Sequence, residues 1–162
     1  MLFVSEECGY TGDNTGRDER PRELLLASFN YPPSRIGDPV YNEIGGQYGV
    51  WNRFPNDRTQ YCKMSYAPDF AAENGFALQL DYDVESPNPA YNGFWLKLKG
   101  RDFTYYNTLN LYIRGDAQKG FTPRLKIELK DDECTATYVI SGIIHRWRRF
   151  SIPFSKYWKI KN

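Results

Sequence analysis

Histidine is almost missing from this chain: among 162 residues there is one, His145, beside Arg146 and Trp147 in a stretch that reads as a turn. An ordinary surface role accounts for it, and the acid–base chemistry that leans on histidine has no other candidate. Cysteine is scarce too. Cys8, Cys62 and Cys134 are far apart and form neither a CxxC pair nor a Cys/His metal spacing. An odd number leaves at least one thiol unpaired within a monomer, and spacing alone leaves the disulfide state open. No apolar run approaches the roughly 18 to 20 residues of a membrane span. Residues 1–7 have no basic n-region and too short an apolar run for a signal peptide, so a secreted protein would stand here in mature or fragmentary form. There is no Asn-X-Ser/Thr acceptor, hence no glycosylation argument for secretion. Neither sign of charge is in excess, with 21 Lys plus Arg against 20 Asp plus Glu, so no global field gathers nucleic acid or an anionic membrane. No amphipathic helix of three turns and no repeat of 20 to 50 residues is visible.

What the chain does have is aromatic side chains and strict alternation. Tyr, Trp and Phe make up 17% of it, a composition that a β-sandwich uses both for core and for flat binding surface. From residue 74 to 130 four segments alternate apolar and polar residues. Phe76, Leu78, Leu80, Tyr82 and Val84 share one side of a strand, with Gln79, Asp81 and Asp83 on the other. In residues 94–99, Trp95, Lys97 and Lys99 lie opposite the apolar face; residues 109–114 and 124–130 repeat the pattern. Together they predict a sheet that buries one face and presents the other. Further strands are expected near residues 24–29, 135–141 and 147–154, at least seven in all. Residues 1–23, poor in apolar positions after the first four, predict an extended or mobile arm, and residues 24–162 a single domain. Residues 39–68, punctuated by Gly45, Gly46, Gly49, Pro55 and Pro68, read as a long irregular loop or as short strands that the pattern does not resolve.

The segments NGFALQLDYDV, NPAYNGFWLKLKG, YNTLNLYIRGDAQKGFTPRLKIELK and YVISGIIHRWRRFSIPFSKY, in that order, resemble a carbohydrate-binding module of the family 11 kind, within the galactose-binding-like group that also holds the complex I intermediate-associated proteins. The resemblance reaches back through residues 45–51 and 55–57 and covers roughly residues 24–160. It implies an all-β fold, a two-sheet antiparallel jelly-roll β-sandwich, that holds a polysaccharide or oligosaccharide on its concave face or at its rim without catalysis. It also implies a secreted or cell-surface, extracellular location. Related domains continue beyond the region of residues 154–157 with one or two more strands. The final strand or strands are therefore expected to be missing, and the open sheet edge would accept another copy or a partner chain. No cofactor is required; a structural calcium ion is common in the group, but residues 27–30 lack its usual carboxylates, so no ligands are assigned and no metal site is predicted.

Sugars are bound by stacking their CH faces on rings while rigid polar groups pair with the hydroxyls. At outward parity stand Trp95, Tyr112 and Tyr138, the last if Val139 points inward, together with Asp81, Asp83, Arg114, Lys126 and Glu128. The same charges would equally serve as cross-strand ion pairs, Asp81 or Asp83 with Lys97 or Lys99, each worth at most roughly 1 kcal/mol. A second surface is the loop set with Tyr48, Trp51, Tyr61 and Tyr91; of these, Trp51 and Tyr61 are expected to cap the sandwich end, which leaves Tyr48 and Tyr91 as the candidates for ligand contact. Asp81, Asp83 and Glu128 do not bracket a scissile bond, and no Gly-x-Ser-x-Gly, His-Glu-x-x-His or phosphate loop is present, so the chain is not read as an enzyme. The rival to glycan binding is a protein-interaction or structural assembly module, in a larger complex or a self-associating lattice.

Overall fold

The computed structural model of the protein describes residues 1–5, 22–35, 37–69, 75–156 and 158–161, with side chains left aside at 3–5, 69 and 158–161. The protein is all-β. Among the described residues there are eleven strands, β1 (Leu2–Ser5), β2 (Glu23–Ala27), β3 (Tyr48–Asn52), β4 (Tyr61–Asp69), β5 (Gly75–Asp83), β6 (Asn92–Leu96), β7 (Thr108–Ile113), β8 (Arg124–Lys130), β9 (Cys134–Ser141), β10 (Arg148–Pro153) and β11 (Trp158–Lys161), plus one 3-10 turn at Phe154–Lys156. All the registered pairings are antiparallel. No helix among the described residues is long and apolar enough to cross a membrane.

The chain divides into two compact units, one of Met1 with Leu25–Arg101 and one of Leu2–Leu24 with Asp102–Asn162. The first unit is built on two ribbons. β3 pairs with β6, Tyr48 opposite Leu96 through Asn52 opposite Asn92, and β4 pairs with β5 over nine residues, Tyr61 opposite Asp83 through Asp69 opposite Gly75. Side chains tie the ribbons together: the Tyr48 and Tyr66 hydroxyls lie 2.6 Å apart, and Asn92 Nδ2 donates to the carbonyls of Tyr61 at 2.7 Å and Asp83 at 3.0 Å. The core under β3–β6 is aromatic. Phe29 meets Tyr48 and Phe94 edge-on, with centroids 5.4 and 6.0 Å away, a geometry worth about 0.5–1.5 kcal/mol per pair beyond area burial. Phe29 reaches it from a left-handed backbone, φ +62°, at a cost of about 1–3 kcal/mol. Glu43 holds the preceding turn by accepting from both the amide and the hydroxyl of Ser28.

In the second unit β7 lies between β10 and β1, while β9 lies between β8 and β11. Leu109 and Leu111 on β7 and Phe150 and Ile152 on β10 are buried, and register sets Leu111 opposite Phe150 and Leu109 opposite Ile152. The polar side of this ladder is covered as well. Asn110 and Thr108 are fully buried, and Asn110 Oδ1 accepts from Arg149 Nε at 3.1 Å, Arg149 Nη2 at 3.0 Å and Ser151 Oγ at 2.7 Å.

These placements correct several expectations. Residues 2–5, assigned to the arm, form β1 against β7; residues 6–21 lie outside the described residues. Residues 158–161 form β11 against β9, a strand past the last one expected from the pattern. The four alternating segments do not share a sheet: β5 pairs with β4, β6 with β3, β7 with β10 and β1, and β8 with β9. Alternation sets which residues share a side of a strand, but it is silent on the partner strand and on which side is covered. β5 shows the second point, since Leu80, Tyr82 and Val84, expected inside, are exposed, whereas Asp81 and Asp83 are half-buried.

Candidate functional site

Strands β3 and β6 carry the same local pattern, glycine, one apolar residue, tryptophan: Gly49-Val50-Trp51 and Gly93-Phe94-Trp95. Antiparallel register sets each tryptophan opposite the other strand's glycine, Trp95 against Gly49 and Trp51 against Gly93. With no Cβ in the way, each indole lies down across the facing backbone. Trp95 Cζ2 is 3.0 Å, and Trp51 Nε1 3.1 Å, from where a Cβ would stand at Gly49 and Gly93. Val50 and Phe94 point to the opposite, covered side, where Phe94 packs on Tyr48 with centroids 5.8 Å apart.

The ladder continues past both strand ends. Arg53 N donates to Tyr91 O at 3.0 Å and Lys97 N to Gln47 O at 2.9 Å, which adds Arg53 and Tyr91 at one end and Gln47 and Lys97 at the other to the face that holds the indoles. The Tyr91 ring stands edge-on to Trp51 at 5.7 Å. The Arg53 guanidinium lies 4.9 Å from the Tyr91 ring centroid and donates to its hydroxyl, and the Lys97 ammonium lies 5.8 Å from that of Trp95. Trp51, Tyr91 and Trp95 keep 41%, 46% and 36% of their surface exposed. Four cross-strand pairs at two-residue steps make this aromatic platform about 20 Å long, at roughly 3.4 Å per residue.

Each end of the platform meets a hollow. Trp95 and Gln47 form part of the wall of an open cleft of about 820 Å³, with Pro32, Asp38, Tyr48 and Tyr66 also on its wall. At the other end Phe54, Asp57, Asn88 and Pro89 line a shallower hollow of about 290 Å³. Asp57 knots the two loops there, accepting from Thr59 N at 2.9 Å, Thr59 Oγ1 at 2.6 Å, Gln60 Nε2 at 2.9 Å and Asn88 Nδ2 at 3.0 Å. Those bonds, the Thr59 pair foremost, hold its carboxyl well below the usual range. The opposite end is fixed by Asn42, whose Nδ2 donates to Lys97 O at 3.0 Å and whose Oδ1 accepts from Gly46 N at 2.7 Å.

Of the ten residues singled out from sequence, Trp95 and Tyr91 stand on this platform. Tyr48 borders the cleft but is buried on the covered side of β3; burial, then its bond to Tyr66, raises its pKa far above the usual value. Asp81 and Asp83 lie on the other ribbon, where Asp81 accepts from the Tyr61 hydroxyl at 3.4 Å and faces Lys63, and Asp83 accepts from Glu85 N at 2.8 Å. The other five belong to the second unit. There Tyr112 is exposed, the Arg114 guanidinium lies 5.0 Å from the Trp147 ring centroid, and Glu128 takes ion pairs from Lys126 at 2.8 Å and Lys130 at 2.9 Å. Val139 is exposed and Ile140 buried, so Tyr138 shares the inward parity of Ile140 and its expected outward placement is corrected. Sequence reasoning missed Arg53 and Gln47, and it set Trp51 aside from the second surface. Trp51 was expected to cap a sandwich end; it lies open beside Tyr91 instead.

Among the described residues no cluster of three or more His, Cys, Asp or Glu side chains is placed to hold a metal ion. Comparison with known proteins found no matching family model, curated protein or solved structure.

Proposed function

We propose that this protein is a non-catalytic carbohydrate-binding module, similar to the family 11 kind and built as a two-sheet jelly roll, that holds a polysaccharide along the β3–β6 platform at the cell surface or outside the cell. The observation that carries the reading is the reciprocal Gly–Trp pairing. It lays two indoles flat on an open face, the shape that the apolar side of a pyranose ring stacks on, and the Tyr91 ring extends the row. The length of about 20 Å suits a chain of several sugars rather than a single ring. Gln47, the Tyr91 hydroxyl, Arg53 and Lys97 line that row and supply hydrogen bonds to the sugar edges. Binding needs no turnover and no resident cofactor, although a structural calcium ion is compatible with the reading. The test is affinity electrophoresis through gels holding different soluble polysaccharides: retardation by at least one polymer, lost in Trp51→Ala and Trp95→Ala, supports it, and free migration of the folded protein in all of them counts against it.

A second reading, a protein-interaction or assembly module, is favoured by one observation: Leu80 and Tyr82 on β5, and Val84 just past its end, expose apolar surface. Self-association that tracks substitutions on β5 and ignores those on the platform would favour it.

A further inference from the structure

The platform recognises acceptor-rich, anionic chains: we infer that the polysaccharide held there carries carboxylate or sulfate groups. This rests on the glycan-binding reading and names its ligand class.

A neutral sugar hydroxyl both donates and accepts, so sites for neutral glycans need acceptors as well as donors, and carboxylates are the strongest acceptors a protein has. This face has none. Its side chains in ladder order are Gln47, Gly49, Trp51 and Arg53 on one strand and Tyr91, Gly93, Trp95 and Lys97 on the other. The amide oxygen of Gln47 is a free-standing acceptor, whereas the Tyr91 hydroxyl is already engaged by Arg53. Arg53 and Lys97 only donate, and both are exposed. Among the described residues neither has a carboxylate within ion-pairing distance; each lies over a ring instead. Two cations with no carboxylate partner among the described residues thus stand at opposite ends of a ladder about 20 Å long, roughly two and a half times the screening length at physiological salt, so each acts on its own stretch of ligand.

Two acids stand near these ends, and neither lies on the platform ladder. Asp57 directs its oxygens inward to Thr59, Gln60 and Asn88, and Asp38 stands on the cleft wall below Val40 in sequence, off the platform ladder. The ligand's anionic groups therefore belong over the ladder itself, beside Arg53 and Lys97, and any part of the chain that runs on past Gln47 and Trp95 into the cleft meets Asp38 and is uncharged there. Single-stranded nucleic acid also combines flat rings with negative charge, but it carries a phosphate at every nucleotide. Two cations over this length, on a chain of net charge +1, match a sparser anion.

The full chain is titrated by isothermal calorimetry with polygalacturonate, its fully methyl-esterified form, a neutral β-glucan and oligo(dT). The uronate polymer is expected to bind at least tenfold more tightly than its ester, to lose about tenfold between 0.02 and 0.5 M NaCl, and to lose the same preference in the Arg53→Gln/Lys97→Gln double variant, while Trp95→Ala abolishes binding to every polymer. Sulfated polymer in place of uronate gives the same pattern if charge, and not the carboxylate shape, is what is read. Equal binding of uronate, ester and neutral glucan without salt dependence overturns the inference and leaves glycan binding standing. Tighter binding of oligo(dT) than of uronate overturns it in favour of nucleic acid. No heat with any polymer, from protein with an intact β circular-dichroism spectrum, overturns both.

Discussion

The indole of Trp95 lies across Gly49, its Cζ2 3.0 Å from the point where any other residue would place a Cβ. Gly49 and Gly93 are not among the residues with left-handed φ, so their backbones accept an L side chain and what matters is the space above them. Gly49→Val and Gly93→Val are therefore expected to fold, to lift one indole each, and to weaken polysaccharide binding by about tenfold, the worth of one aromatic stacking contact. Retarded migration in polymer-loaded gels measures it. Unchanged affinity in both variants would mean that the flat posture of the rings is irrelevant.

Gly46 is under a different constraint. A Cβ there would overlap the carbonyl oxygen of Lys97, the atom that also accepts from Asn42 Nδ2. Gly46→Ala has to push the loop away from the end of β6, and a loss of about 2–4 kcal/mol is expected in urea denaturation, the range of severe single substitutions. Gly45→Ala makes a useful contrast: space is open, but φ is +78°, so strain of about 1 kcal/mol is expected without the clash.

Asn110 is a buried acceptor for Arg149 and Ser151 across the β7–β10 ladder. Asn110→Ala leaves those donors without that acceptor, and about 1–3 kcal/mol of stability should go with it. Asn110→Asp, which keeps an acceptor beside the guanidinium, should lose less at neutral pH. Equal losses in the two would contradict the account, since the aspartate keeps both the volume and the acceptor.

Two groups set opposite limbs of the stability–pH curve. The Tyr48 pKa is raised in the fold, so its contribution is whole below the ordinary value of 10.0 and is lost as pH climbs from there toward the folded value. The Asp57 pKa is depressed, so its contribution is present above the ordinary 3.8 and is lost as pH falls toward the folded value. Thermal melts of Tyr48→Phe should accordingly show a flatter alkaline limb, and melts of Asp57→Asn a flatter acid limb. A steeper limb in either variant contradicts the assignment.

Strand existence was legible because half-covered strands alternate, and on β8 and β6 the parity read from Leu125 and Trp95 matches their exposure; on β7 Leu109 and Leu111 are buried as expected, but Thr108 and Asn110 on the other side are covered too. Pairing was not legible. Lys97 and Lys99 seemed placed to meet Asp81 and Asp83, yet β6 lies beside β3 and Lys99 has left the ladder with φ +59°. Half of the platform was hidden for a local reason: Gly45, Gly46 and Gly49 made residues 39–68 read as loop, although Gly49 is there so that Trp95 can lie over it. The signal was the repeated Gly-x-Trp of β3 and β6. One strand's glycine serves the other strand's tryptophan, and that relationship is invisible until the register is known.

Intrinsic tryptophan emission during polysaccharide titration tests glycan binding on the platform most directly, because two of the four tryptophans, Trp51 and Trp95, stand in the contact. A saturable shift with at least one polymer, halved in either Trp51→Phe or Trp95→Phe and abolished when both are replaced, is the expected result. A saturable shift that survives the double replacement would move the site elsewhere in the molecule, and no shift with any polymer would contradict glycan binding itself.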